Sequence, residues 1–132
     1  MTSAAGSLDT NILLRFLLAD DARQSHQSQA LIEASKSLKV SILCIAEIVF
    51  IMEGKGFGRA AIWRNIETLS SVNNLQMPIG IILPATELYV KQPALSFIDA
   101  CLAFEANAVS AEPLWTFDMK LAKQAPHTKL VA

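Results

Sequence analysis

Apolar and polar residues alternate along the chain at two spacings, one typical of helices and one typical of short buried strands. Apolar residues that recur three and four positions apart predict amphipathic helices. The helices predicted in this way lie at residues 9–19, 22–37, 41–52, 58–72, 85–91, 97–108 and 118–124. Short apolar runs predict a strand that ends at Leu8 and further strands at 38–42, 79–84, 113–117 and 128–132. This order predicts an α/β fold of three layers, αβα, with a central and mostly parallel sheet.

The length and composition favour one domain with a large apolar core. A chain of 132 residues fits a single compact domain, which we place at residues 8–132. Residues 1–7 are small and mostly polar, and we interpret them as a leader or a remnant that is not native to the domain. Hydrophobic residues make up 52% of the chain and charged residues only 17%, so we expect a partner to cover some apolar surface.

Charge and cysteine content indicate which binding partners and which cellular compartment to expect. The net charge of -1 provides no overall field that attracts nucleic acid, so such binding requires a local basic patch or a bound metal ion. Cys44 and Cys101 lie far apart in apolar surroundings without a CxxC spacing, which indicates two buried thiols in a reducing compartment. The sequence shows neither a signal peptide nor an apolar run of membrane-spanning length. We therefore expect a cytoplasmic protein.

Three acidic residues fall where the predicted strands end and helices begin, and a fourth lies in a helix from which it could reach the same edge of the sheet. Asp9 and Asp118 directly follow strands, and Asp99 lies in the first turn of its helix. Glu47 lies within the apolar helix that follows the second strand. Two carboxylates 4 Å apart at an effective dielectric constant of 20 repel each other by about 4 kcal/mol, and a divalent cation removes that repulsion. Because clusters of carboxylate oxygens suit Mg²⁺ or Mn²⁺, the pattern indicates a metal site at this edge of the sheet.

Each of these acids also fits a purely structural role. Asp9 and Asp118 stand at positions where they would cap the next helix, and the "SFID" segment that includes Asp99 matches a capping box. Glu47 either faces solvent, pairs with a basic side chain, or lines a polar cavity. Among these three alternatives we favour the cavity, with the carboxylate satisfied by metal and water.

The ordered set of acidic motifs resembles a known family. "LDTN" before an apolar helix, "IAEI" in a mid-chain helix, "FIDA" at the start of a later helix and "TFD" at the end of a late strand are similar to PIN domains. More narrowly, they resemble the toxin ribonucleases of VapBC-type toxin-antitoxin modules. The resemblance extends from Leu8 to Val131. It departs from the family before Leu8, where small residues stand in place of an apolar strand.

The resemblance implies specific roles for individual residues. The residues that match the catalytic and metal-binding acids of the family are Asp9, Glu47, Asp99 and Asp118. Asn11 and Thr116 match the polar residues that hold the acidic site together without binding the metal. The implied cofactor is Mg²⁺ or Mn²⁺.

The implied activity is that of a metal-dependent ribonuclease, a phosphodiester hydrolase that cleaves RNA with a metal-activated water. A water nucleophile does not need the 2′-hydroxyl group, so the expected products carry 5′-phosphate and 3′-hydroxyl ends. Arg15, Lys120 and Lys123 are candidate contacts to RNA phosphates, although a solvated helix face explains the same three residues.

The resemblance also implies partners. We expect a cognate antitoxin that covers the acids and presents an arginine to them, and we expect a homodimer. Two other functions compete with the nuclease. A phosphatase of the haloacid-dehalogenase class requires a second aspartate two residues after Asp9, where this chain has Asn11. A catalytically inactive PIN-fold interaction module is the stronger alternative, because it accommodates the apolar composition and the unusual N-terminus.

Overall fold

The computed structural model describes residues 4–131 and has an α/β fold in which the strand pairs of this range are parallel. The strands are β1 (Ala4–Ser7), β2 (Ser35–Lys39), β3 (Leu75–Gln76), β4 (Leu114–Thr116) and β5 (Thr128–Leu130). The helices are α1 (Thr10–Leu18), α2 (Ala22–Ala34), α3 (Ile42–Gly54), α4 (Arg59–Ser70), α5 (Ile79–Lys91), α6 (Phe97–Ala108) and α7 (Met119–Gln124). The predicted α/β class with parallel strands is confirmed.

The chain forms two compact units, each with its own small sheet. The N-terminal unit ends at Pro78 and has the strand order β1-β2-β3, and the C-terminal unit begins at Ile79 and pairs β4 with β5. The prediction of one domain over residues 8–132 and of a leader at 1–7 stays a prediction. In the part of the chain that the structure describes, no helix is both long and apolar enough to cross a membrane.

The first strand includes residues that the sequence analysis assigned to the leader. Residues 1–3 lie outside the described residues, but Ala4–Ser7 forms β1 and pairs in parallel with β2. Gly6 pairs with Leu38 and has a φ of +144°, a conformation that residues with a Cβ rarely adopt. The amide of Leu8 then donates to the Lys39 carbonyl at 2.9 Å. The segment is therefore strand despite its poor strand propensity, because backbone pairing with β2 overrides that propensity.

The second and third strands differ from their predicted positions. Residues 35–37, predicted as the end of a helix, belong to β2, and β3 at Leu75–Gln76 was not predicted. The side-chain amide of Asn74 donates to the carbonyls of Ile32 and Ser35, the latter at 3.0 Å. This contact ties the end of α2 and the start of β2 to the residue just before β3. It depends on residues 39 or more positions apart, which local patterning does not detect.

The helices of the N-terminal unit follow the predicted periodicity closely. The inward face of α4 consists of Ile62, Ile66 and Leu69, all fully buried as their spacing predicts. Helix α3 buries Ile45 and Ile48 completely and packs against α4 and α1. These helices form the apolar support behind the acids of this unit.

The predicted strand at residues 79–84 is wrong, because this segment is the first half of α5. The sequence analysis divided the segment at Pro84, but the helix continues through that proline to Lys91. Ile82, Ala85 and Tyr89 are fully buried and lie three and four positions apart, which is one face of a helix. Tyr89 meets the ring of Phe97 from α6 edge-on, with 5.7 Å between ring centroids. Packing against α6 therefore selects helix for an apolar run that is ambiguous by itself.

In the C-terminal unit, the elements from α6 onward agree with the predicted ones except for small differences at their ends. Helix α6 starts after Ser96, whose hydroxyl accepts from the Asp99 amide at 3.1 Å. Leu95, Ala103, Leu121 and Ala125 form a buried apolar cluster beside α7. This cluster fixes the short helix that follows β4, and so positions the acid between them.

Candidate active site

Asp9 lies where β1 leads into α1, as predicted. It is the N-cap of α1, and its Oδ1 accepts from the Thr10 amide at 2.8 Å. The carboxylate is exposed and has no other hydrogen bond among the described residues, so Oδ2 remains available. Asp9 thus has the capping role that its position suggested and keeps one oxygen for a ligand.

Three of the predicted site residues meet in one cavity of about 370 Å³ between α1 and α2, which we call the α1–α2 cavity. Asp9, Asn11 and Arg15 line it from the first helix and its cap. The opposite wall comes from α2 and includes Gln24, Gln27 and Ser28.

Arg15 is held in place beside this cavity. Its Nε donates to Gln24 Oε1 at 2.8 Å and its Nη1 donates to Asp20 Oδ1 at 2.8 Å. The Arg15 guanidinium lowers the pKa of Asp20 below its ordinary value of 3.8. The hydroxyl of Ser25 also donates to the Arg15 carbonyl at 2.7 Å. These contacts make Arg15 more ordered than the solvated side chain that the alternative interpretation assumed.

Glu47 lies on α3 with an exposed side chain. Within the N-terminal unit its carboxylate makes no hydrogen bond or ion pair, so the cost of burying a charge does not arise. Cys44, one turn earlier on the same helix, has its Sγ 3.5 Å from the Leu8 carbonyl, to which the thiol donates. This contact connects the helix that holds Glu47 to the residue just before Asp9. The sequence analysis assigned Cys44 only to the interior, whereas it is half-buried and links two site segments.

In the C-terminal unit, a side chain at the end of β4 is hydrogen-bonded to the backbone of Asp118. Asp118 caps α7 through Oδ1, which accepts from the amides of Lys120 at 2.9 Å and Leu121 at 3.1 Å. The hydroxyl of Thr116 accepts from the Asp118 amide at 2.9 Å. This hydrogen bond fixes the backbone that carries Asp118, and the supporting role of Thr116 in the site stays a prediction.

Asp99 and the two lysines complete the predicted set. Asp99 is half-buried in the first turn of α6, and within the C-terminal unit its carboxylate makes no hydrogen bond or ion pair. Lys120 and Lys123 are exposed on α7. Cys101, two residues beyond Asp99, is buried, and this burial together with the nearby Glu105 raises the pKa of its thiol to about 12. Both cysteines of the chain are free thiols.

The donor chemistry of the four acids fits a divalent cation. Asp9 and Asp118 each keep an oxygen free of cap contacts, and Glu47 and Asp99 keep both oxygens free within their own units. Hard oxygen donors of this kind suit Mg²⁺ and Mn²⁺. Neither unit, over its described residues, contains by itself three or more His, Cys, Asp or Glu side chains placed to hold an ion.

The sequence analysis missed the α2 side of the α1–α2 cavity. Gln24, Gln27 and Ser28 lie in a helix of mixed polarity that carries no motif. Their three-residue and four-residue spacing is the only local signal, and it predicts a shared helix face without showing that α1 lies opposite.

Comparison with known proteins identifies the family. The PIN domain model matches residues 7–125, a span that contains all four acids. Among solved structures, the chain is similar to VapBC2 from Rickettsia felis bound to a DNA fragment from its promoter, at 18% identity and a TM-score of 0.40, covering 97% of this chain and 98% of that one. It is also similar to a toxin-antitoxin complex from Klebsiella pneumoniae, at 19% identity and a TM-score of 0.34, covering 96% of each chain. No curated protein matches significantly. The extent of the family match establishes that this chain belongs to the PIN domain family.

Proposed function

We propose that this PIN domain is a metal-dependent endoribonuclease and the toxin half of a toxin-antitoxin module. The observation that carries the proposal is the family match over residues 7–125, because it includes all four acids, three of them at or next to the start of a helix and Glu47 within α3. The free carboxylate oxygens described above support it chemically.

In this proposal the metal-binding and catalytic residues are Asp9, Glu47, Asp99 and Asp118. A bound Mg²⁺ or Mn²⁺ would supply an activated water and offset negative charge at the scissile phosphate. The protein contributes the fixed positions of the acids. Thr116 holds the backbone of Asp118, and the N-cap contact with the Thr10 amide holds the Asp9 carboxylate. Asn11 borders the same cavity as Asp9 and is assigned a supporting role.

Basic side chains near the acids are the proposed contacts to RNA phosphates. Arg15 is ordered by Gln24 and Asp20, whereas Lys120 and Lys123 are exposed and act as flexible point charges. A guanidinium held in one orientation favours geometrically specific binding of phosphate. We therefore assign specific contact to Arg15 and general electrostatic attraction to the lysines.

The proposed partners are an RNA substrate, a second copy of the chain and a cognate antitoxin, in the cytoplasm. The antitoxin would neutralise the acids with an arginine in place of the metal ion. Co-expression with the product of the neighbouring gene tests this part of the proposal. Loss of toxicity together with co-purification supports it, and free, active enzyme in the presence of that product contradicts it. Light scattering at high protein concentration tests the dimer, which a monomeric mass would exclude.

The first experiment is cleavage of a mixed pool of structured RNAs by the purified full chain, with Mg²⁺, with Mn²⁺ and with a chelator. Asp9→Asn removes one charge from the acids, and Asp21→Asn is the matched control. Asp21 caps α2 through the Gln24 amide at 2.9 Å, a contact that asparagine also makes, and it is not one of the four acids. Cleavage that requires metal, disappears in Asp9→Asn and persists in Asp21→Asn supports the nuclease. A folded protein that neither binds metal nor cleaves RNA would instead be an inactive interaction module.

A further inference from the structure

The α1–α2 cavity presents a largely buried hydroxyl group to any ligand that enters it. Ser28 is 3% exposed, and among residues 4–131 its hydroxyl makes no hydrogen bond, but the oxygen is not sealed from water. Since Ser28 lines the cavity, its hydroxyl can donate to or accept from a ligand there in place of water.

Arg15 and Gln24 present further donors to the same space in a fixed arrangement. Gln24 uses its Oε1 to accept from Arg15 Nε, which leaves the amide NH₂ group to donate. Arg15 uses Nε and Nη1 for Gln24 and Asp20, which leaves Nη2 as a donor without a partner among the described residues. The network fixes these donors before any ligand arrives, so less entropy is lost on binding.

The remaining walls combine amide groups with an apolar surface. Asn11 and Gln27 add side-chain amides that both donate and accept, and Ile12 and Leu31 add apolar area. Small-molecule sites typically show this combination of apolar lining and a few polar groups. The volume of about 370 Å³ lies at the lower end of the usual range of about 300–1,000 Å³ for such sites, which suits a ligand of nucleotide size.

We infer that the α1–α2 cavity is a subsite for one nucleotide of the substrate RNA and that Gln27 and Ser28 help to determine which nucleotide is accepted. The acceptor-rich edges of a base match the surplus of donors, its flat face matches the apolar surface, and its phosphate matches the ordered guanidinium. Asp9 borders the cavity, so the bound nucleotide would lie next to one of the proposed catalytic acids. The inference rests on the proposed nuclease function and adds the means of substrate recognition.

The test measures binding without catalysis. Ribonucleoside 5′-monophosphates are titrated into the ¹⁵N-labelled full chain in the presence of a chelator, and the side-chain amide signals of Gln24 and Gln27 are followed. Gln27→Ala and Ser28→Ala remove cavity groups, and Gln29→Ala is the matched control on the same helix. Gln29 is exposed, pairs with Glu33 at 2.9 Å and does not line the cavity. We expect the two cavity variants to weaken binding of the preferred nucleotide about five- to tenfold and the control to leave it unchanged.

A second measurement compares cleavage of single-stranded oligoribonucleotides by the same variants in the presence of metal. The inference predicts that Gln27→Ala raises KM for the preferred sequence and relaxes the preference, while Gln29→Ala behaves as wild type. Wild-type cleavage combined with equal nucleotide binding and equal preference in all variants would overturn the subsite and leave the nuclease intact. Nucleotide binding that depends on Gln27 and Ser28, in a protein that cleaves no RNA, would uphold the cavity as a nucleotide-binding site and refute both the nuclease and the role of the cavity in substrate recognition.

Discussion

Asp118 combines a structural and a proposed catalytic role, and substitution can separate the two. Its Oδ1 accepts from the amides of Lys120 and Leu121, so it caps a helix of only six residues. Asparagine keeps an acceptor oxygen at this position and loses the negative charge, whereas alanine loses both. Asp118→Asn should therefore preserve the fold and abolish the proposed metal chemistry, and Asp118→Ala should damage both.

The magnitudes follow from the cap geometry. Replacing a capping aspartate with alanine costs about 1–2 kcal/mol, and two amides at 2.9 and 3.1 Å place Asp118 toward the upper part of that range. Asparagine caps about as well as aspartate, and the lost attraction between the charge and the helix dipole costs about 0.5 kcal/mol. Each kcal/mol corresponds to about 4 °C in Tm for a chain of this size.

Thermal and urea unfolding in a chelator measure the structural part, and metal-dependent RNA cleavage measures the catalytic part. We expect cleavage to fall at least about 100-fold in both Asp118 variants, since even the partners of metal ligands contribute about 10–100-fold. Asp21→Asn makes the same chemical change at the cap of α2, so it should lose a similar amount of stability, about 0.5 kcal/mol, and no activity. Equal stability loss in Asp118→Asn and Asp118→Ala would refute the cap argument, and full cleavage by Asp118→Asn would refute the catalytic assignment.

Three further predictions concern single side chains. Because Glu47 is exposed and unpaired within its unit, Glu47→Gln should change the free energy of unfolding by less than about 0.5 kcal/mol while lowering Mn²⁺ affinity in calorimetric titration; unfolding of this variant would contradict the assignment. The pKa of Cys101, raised to about 12 by burial and Glu105, keeps the thiol protonated near neutral pH, so alkylation followed by mass spectrometry should modify it only as the protein unfolds. Arg15 lowers the pKa of Asp20, so the stabilisation by their ion pair should be present at pH values well above 3.8 and be lost progressively as pH falls below it; the stability difference between Asp20→Asn and wild type should therefore shrink as pH falls below 3.8, as urea unfolding at neutral and acidic pH would show.

Local patterning predicts the helices of this protein well because their apolar faces are long and regular. Ile62, Ile66 and Leu69 identify α4 by spacing alone, and Ser96 marks the start of α6 by its capping position. The same local signals place Asp9 and Asp118 between a strand and a helix, where the structure has them.

Local patterning fails where two distant segments decide the conformation. The apolar run at 79–84 fits a buried strand and a buried helix equally, and packing of Ile82 and Tyr89 in the C-terminal unit selects the helix. The strand β1 forms from residues with poor strand propensity because β2 supplies its hydrogen-bond partners.

The candidate site shows the same difference between what local patterning predicts and what contacts between distant segments decide. Sequence alone indicated the family and the order of the four acids that we propose as the site, since both depend on residue type and spacing along one chain. Only the tertiary structure decided that α2 faces α1, that Gln24 and Asp20 hold Arg15, and that Ser28 lines the cavity between the two helices. The physical reason is that such contacts depend on the packing of two helices, and the sequence of either helix specifies its own apolar face but not the polar groups that will lie opposite.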